Sequence, residues 1–217
     1  MQRLTQVRHI IFDFDGVLAE TNEIRIEGFR TLFSSYPFEA QNSIVSFAHA
    51  NGGISRYVKI RYFFENVLSQ PVSDDHVTQL ADEYSAIVTE KIIAADAVIG
   101  SIEFLKRWVN HLDFAIISGS DELELSSVCA SRGIDHFFIH IFGSPATKQE
   151  NFQRLFDVTG WQRQDCLFVG DTKNDLKAAN EMAVPFLARD SGIEVWQPGE
   201  VRVISDLTKL EANLLSQ

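Results

Sequence analysis

Apolar residues follow two different rhythms along this chain, and the change from one to the other divides it. A short apolar run from Val7 to Phe12 reads as a first strand and stops at Asp13-Phe14-Asp15-Gly16. From there to about Ala95 the spacing is helical. Glu23 to Phe33, Glu39 to Ala48, Ser55 to Val67 and Asp74 to Ile93 each repeat apolar positions with helical periodicity, punctuated by Pro37, Gly52-Gly53 and Pro71. Beyond that point short apolar runs alternate with helical patterns. Strands are expected at Phe114–Ile117, Ile139–Phe142 and Leu167–Val169, with Pro185–Leu187 approaching a last one. Helices are expected at Ser101–Val109, at Glu122–Arg132 with Gly133 as its stop, at Lys148–Val158 and at Leu176–Met182.

Short apolar strands separated by helices imply a parallel sheet covered on both faces. The expected fold is α/β: a doubly wound, Rossmann-like core formed by residues 1–16 and 97–217, with an all-helical cap inserted at 17–96. Ligands in such sheets bind beyond the carboxyl ends of the strands. Asp13, Ser118, Ser144 and Asp171 all fall at such ends.

Composition narrows the function. With 217 residues, 45% of them apolar, and only 5 Pro and 12 Gly, the chain is a folded globular protein. Its 19 basic and 30 acidic residues leave a net charge of −11, which argues against a nucleic-acid partner. The same balance permits a small phosphorylated metabolite held in a local basic pocket. No apolar stretch has the length of a membrane span or the form of a leader, so a cytoplasmic protein without membrane association is expected. A monomer or a homodimer is equally compatible with the pattern. Cys129 and Cys166 lack metal or redox spacing and read as buried thiols.

Asp13 and Asp15 leave the end of one strand while Phe14 turns into the packing. Two carboxylates held this close repel unless a cation or a shared proton relieves them. Three further polar signals follow at later strand ends: Ser118-Gly119-Ser120, Lys148 after Ser144-Pro145-Ala146-Thr147, and Gly170-Asp171-Thr172-Lys173-Asn174-Asp175. In this order and spacing they resemble the four motifs of the haloacid dehalogenase-like hydrolase superfamily, in the phosphoglycolate phosphatase and beta-phosphoglucomutase-like subgroup whose helical cap follows the first motif.

That resemblance covers nearly the whole chain and implies a phosphatase. Asp13 would be the nucleophile, forming a phosphoaspartate, and Asp15 a general acid toward the departing alcohol and then a base toward water. Ser118, with the Gly119 amide, would hold phosphate oxygens, and Lys148 would compensate the crowded charge. The Phe14 and Asp15 amides would also face the phosphoryl group, with Gly16 leaving room for it. Hard oxygen donors imply Mg2+. Its expected shell is the Asp13 carboxylate, the Asp15 carbonyl, Asp171, water and the substrate, while Asp175 holds a water at the metal or orients Lys148.

The cap would read the leaving group. His49, Asn51, Ser55, Arg56 and Lys59 concentrate donors around Gly52-Gly53, with Asn22 and Arg25 facing the same cleft. Of these, Asn22, Arg25, His49, Asn51 and Arg56 are the expected specificity residues, for a sugar phosphate, a sugar-acid phosphate or a phosphoglycolate-like ester. A phosphosugar mutase is the alternative. Mutases of this type usually carry a histidine where this chain has Arg25, and commonly an acid at Gly170, so both positions favour hydrolysis. A noncatalytic phosphometabolite-binding protein is the alternative of another class. The acid at position 15 disfavours dehalogenation, and the missing glycine-rich loop after the first strand disfavours a dinucleotide enzyme.

Overall fold

The structure, a computed structural model, describes residues 7–215, with the Leu215 side chain excepted. The first strand, β1 (His9–Phe12), is followed by four helices: α1 (Asn22–Leu32), α2 (Phe38–Ala50), α3 (Arg56–Tyr62) and α4 (Asp74–Ala94). A π-helical turn at Phe63–Val67 continues α3. Then come α5 (Ser101–Trp108), β2 (Asp113–Asp121), α6 (Glu122–Ser131), β3 (His140–Ser144), α7 (Lys148–Thr159), β4 (Cys166–Gly170), α8 (Lys173–Glu181), β5 (Phe186–Arg189), β6 (Val203–Ile204) and α9 (Leu210–Leu215).

The strands form one sheet in the order β3-β2-β1-β4-β5-β6, every neighbouring pair parallel. Alternation along β1 sends Ile10 and Phe12 to one face and Ile11 to the other. The first face packs on α5, α6 and α9 through Phe104, Leu125, Val128 and Leu210. The second packs on α7 and α8 through Phe152, Leu155, Ala178 and Ala179. The expected doubly wound α/β fold is therefore the fold observed.

The expected cap range of 17–96 brackets the inserted helices, which run from Asn22 to Ala94. Positions 1–6, 216 and 217 of the expected core lie outside the described residues. The sequence pattern misses β6 and α9, each too short to show a period, and starts α8 three residues late. β2 runs on past Ile117 to Asp121 across an irregularity in its pairing with β3. Both cysteines are buried and unpaired. Among the described residues no helix is long and apolar enough to cross a membrane.

Within the inserted segment, α1 lies close against α4. A Cβ on Gly28 would come within 2.5 Å of Val88 Cγ1 and 2.9 Å of Tyr84 Cε2, both in buried side chains. Alanine at an ordinary helix position gains about 1 kcal/mol over glycine. Here overpacking, which costs about 1–3 kcal/mol, should exceed that gain. Gly28→Ala is expected to lower stability in denaturant unfolding, and a stabilised variant would contradict the close approach.

Candidate active site

The site begins with sheet register. Phe12 of β1 pairs with Val169 of β4, so Asp13 and Asp171 leave adjacent strand ends. The Asp13 amide extends the ladder by donating to the Val169 carbonyl at 2.9 Å. Two helix starts bring the next groups. Lys148 opens α7 behind a capping box between Thr147 and Glu150, and Asp175 closes the equivalent box with Thr172 at the start of α8.

Lys148 Nζ donates to Asp13 Oδ2 at 2.8 Å and also to Asp175 Oδ1. The other Asp175 oxygen accepts from the Thr172 amide and hydroxyl and from the Asp171 amide. Both Asp175 oxygens are thus committed to protein donors, and the residue orients Lys148. Asn22 Nδ2 donates to Asp171 Oδ2 at 2.7 Å, while Asp171 Oδ1 is buried with no hydrogen-bond partner.

Burial pushes the Asp13 carboxyl up to about 6, with Lys148 opposing the shift and the Asp175 and Asp15 charges adding to it. Burial, then the charges of Asp175 and Asp13, pushes Asp171 up to about 8. Carboxylate oxygens of Asp13, Asp171 and Asp175 lie within 4.8 Å of one another. Three acids share one ammonium, and one buried oxygen is orphaned. With both Asp175 oxygens committed, against its expected place at the metal, Asp13 and the free Asp171 oxygen are the donors that fit a hard divalent cation.

Asp15 sits in a different environment. Its carboxylate accepts from Arg25 Nε at 2.9 Å and from the hydroxyls of Thr21 and Ser120 at 2.5 and 2.6 Å. Burial alone would raise its pKa, but the Arg25 charge and these donors lower it, so the group is held ionised.

Arg25 continues into a second cluster. It and Arg56, from α1 and α3, both bind Glu124 on α6. Arg56 reaches the two Glu124 oxygens at 2.6 and 2.8 Å and lies over the Tyr84 ring at 4.7 Å. Tyr57 adds a hydrogen bond to Asp121, the N-cap of α6. The loop between α2 and α3 closes over the carboxyl ends of the strands, where Asn174 Nδ2 donates to the Gly52 carbonyl at 2.6 Å. A Cβ at Gly119 would sit 2.3 Å from the Gly53 carbonyl, so only glycine permits this approach. Together these elements enclose a cavity of about 60 Å³.

Asp13, Asp15, Ser118, Gly119, Asp171, Asn22, Arg25, His49 and Arg56 all line that cavity. Three sequence expectations need correction. The Phe14 amide is engaged by Asp13 Oδ1 at 2.7 Å, and Phe14 does not line the cavity. The Gly16 amide donates to the Ala19 carbonyl, and a Cβ there would collide with Asp171 and Asn22. Its missing side chain makes room for the acid and not for phosphate. Asn51 turns back to the Phe47 carbonyl of its own helix and does not line the cavity. Arg25 and Arg56 reach the cavity already paired with acids. Thr21 and Glu124 escaped the sequence reading, and Ser120, part of the Ser118-Gly119-Ser120 signal, had no role there. Glu124 left one trace, an acid on the buried α6 face with Leu125 and Val128.

The haloacid dehalogenase-like hydrolase family model matches residues 10–189. No curated protein sequence matches the chain. Among solved structures, a predicted phosphoglycolate phosphatase from Haemophilus somnus 129pt is similar with a TM-score of 0.76 at 16% identity, over 96% of this chain and 98% of that one. CbbY from Rhodobacter sphaeroides, solved in complex with phosphate, gives 0.74 at 15% identity over 94% and 96%. YfnB from Bacillus subtilis, bound to magnesium, gives 0.70 at 17% identity over 96% and 99%. At these identities the likeness establishes the fold.

The Glu124 cluster yields a pH test. Burial would raise its carboxyl, but the hydrogen bonds and charges of Arg56 and Arg25 hold it down at about 2. A depressed acid contributes stability above its ordinary value of 4.5 and loses it as pH falls toward 2. Glu124→Gln leaves buried Arg56 without a counterion and Arg25 with Asp15 alone, at a cost of about 3–5 kcal/mol near neutral pH. Denaturant unfolding between pH 7 and pH 2 should show that loss and a shallower acid slope. An unchanged slope would contradict the pairing.

Proposed function

The chain belongs to the haloacid dehalogenase-like hydrolases, and on that premise we propose that it is a Mg2+-dependent phosphatase for small phosphomonoesters. The observation that carries the reading is Asp13, a buried carboxylate bound to Lys148 and facing the cavity beside the orphaned oxygen of Asp171. Asp13 attacks phosphorus and Lys148 balances the charge gathered there, giving a phosphoaspartate. Ser118 and the Gly119 amide hold phosphoryl oxygens.

Asp15 then serves as base toward water, and its ionised state in this arrangement suits that half of the cycle. The same carboxyl must arrive protonated to assist the leaving group, which release of the Arg25 contact permits. Asp13, Asp171 and the Asp15 carbonyl would hold Mg2+, with Asp175 adding charge and fixing Lys148. When bound, the cation screens repulsion between the Asp13 carboxylate and the phosphate and stabilises charge in the transition state.

Residues 17–96 act as a cap over this core. Paired to Glu124, Arg25 and Arg56 close the cap on the core, and the polar groups lining the cavity favour a sugar phosphate, a sugar-acid phosphate or a phosphoglycolate-like ester. Hydrolysis is preferred to phosphosugar transfer because Arg25, and not a proton-carrying histidine, stands beside Asp15.

Phosphate release from a panel of sugar phosphates, phosphorylated acids and nucleotides, with and without Mg2+, tests this reading. The small esters should be hydrolysed only with the metal, and Asp13→Asn should lose more than about a thousandfold in kcat while remaining folded. Retention of a substantial rate by the variant would remove Asp13 as nucleophile. Isomerisation of glucose phosphates without net phosphate release would favour the mutase.

Asp15→Asn should still form the phosphoaspartate from an ester with a good leaving group but hydrolyse it slowly. Single-turnover quench experiments check this, and unchanged decay would exclude the base role.

A further inference from the structure

One cation of the cavity has no counterion. Arg25 and Arg56 are bound by Asp15 and Glu124, and Lys148 by Asp13 and Asp175. Lys59, on α3, also lines the cavity and is only 8% exposed, yet its ammonium makes no hydrogen bond or ion pair among the described residues. Its recorded neighbour is the Phe29 ring, 5.7 Å from Nζ. Arg56, Lys59 and Ile60 share the buried face of the helix, so the lysine occupies a position where the pattern calls for an apolar residue.

Burying an ammonium without a hydrogen-bond partner is costly, and the Phe29 ring and the more distant Asp15 charge are all that offset it here. Burial lowers the Lys59 pKa to about 8, with the Asp15 charge opposing the fall, which leaves the group cationic at neutral pH. An unpaired cation in a buried cavity beside a reactive carboxylate is suited to an anion that arrives with the substrate.

We infer that Lys59 is the specificity residue for a second anionic group, a carboxylate or a second phosphate, on the leaving group of the phosphomonoester. This rests on the phosphatase reading and narrows it to phosphorylated acids and bisphosphates. Contact with the transferring phosphoryl group itself would make Lys59 matter equally for every ester. A role restricted to the leaving group makes it matter only for the charged ones.

The test compares the parent with Lys59→Met on size-matched pairs: phosphoglycolate against ethyl phosphate, and a sugar bisphosphate against the sugar monophosphate. The substitution should lower kcat/KM for one or both charged esters about tenfold or more beyond its effect on the neutral partner, as expected for a lost charge-assisted hydrogen bond. The first pair speaks for a carboxylate and the second for a phosphate. Equal loss within both pairs would overturn the assignment while leaving the phosphatase standing.

If no ester is turned over, the phosphatase reading fails, and calorimetric binding of phosphoglycolate and of the sugar bisphosphate decides the role of Lys59 alone. Affinity about tenfold weaker in Lys59→Met for either compound supports it, and unchanged affinity for both overturns it. Thermal unfolding of the free protein supplies a readout that a structural lysine would move the other way. Lys59→Met should be at least as stable as the parent, and marked destabilisation would mean that the lysine serves the fold.

Discussion

Crowding of negative charge in a buried cleft is the constraint to which the rest of the molecule answers. Asp13 and Asp171 are placed side by side by the pairing of β1 with β4, and Asp175 is drawn to them by the α8 capping box. Lys148 is the only ammonium among them, and the residual charge shows in the raised carboxyls of Asp13 and Asp171 and in the unpartnered Asp171 oxygen. Such a donor set fits a hard divalent cation.

The second acid of the first motif is handled in the opposite way. Asp15, two residues from Asp13, is surrounded by donors and held ionised, so neighbouring aspartates are driven to different protonation behaviour by their surroundings. The donor that matters most comes from the inserted helices, because Arg25 links Asp15 to Glu124 and through it to Arg56. Closure of these helices on the sheet and the ionisation of Asp15 are therefore parts of one electrostatic arrangement.

Much of this was legible in the sequence, for a physical reason. A parallel sheet buried on both faces leaves apolar runs, and polar residues that interrupt those runs at the carboxyl ends mark the cleft, as Asp13, Ser118 and Asp171 do. What escaped depends on pairing across the fold. Glu124 lies 68 and 99 positions from the arginines that it binds, and no local pattern announces such a partner. Gly16 was legible as a position that must stay small, but what fills the space, Asp171 and Asn22, becomes visible only in three dimensions. The charged residues on the buried faces of α3 and α6 were the available clue, since helices that pack by an apolar stripe carry Arg56, Lys59 and Glu124 there only if something meets them.

The central claim is that Asp13 carries the phosphoryl group during turnover. The most direct measurement is acid quench of the Mg2+-loaded protein during hydrolysis of its best ester, followed by hydroxylamine or borohydride trapping and peptide mass spectrometry. The account predicts an acyl-phosphate on the peptide that contains Asp13, mapped to that residue and absent without Mg2+. Sustained turnover with no trapped species, or with the phosphoryl group on another residue, would contradict it.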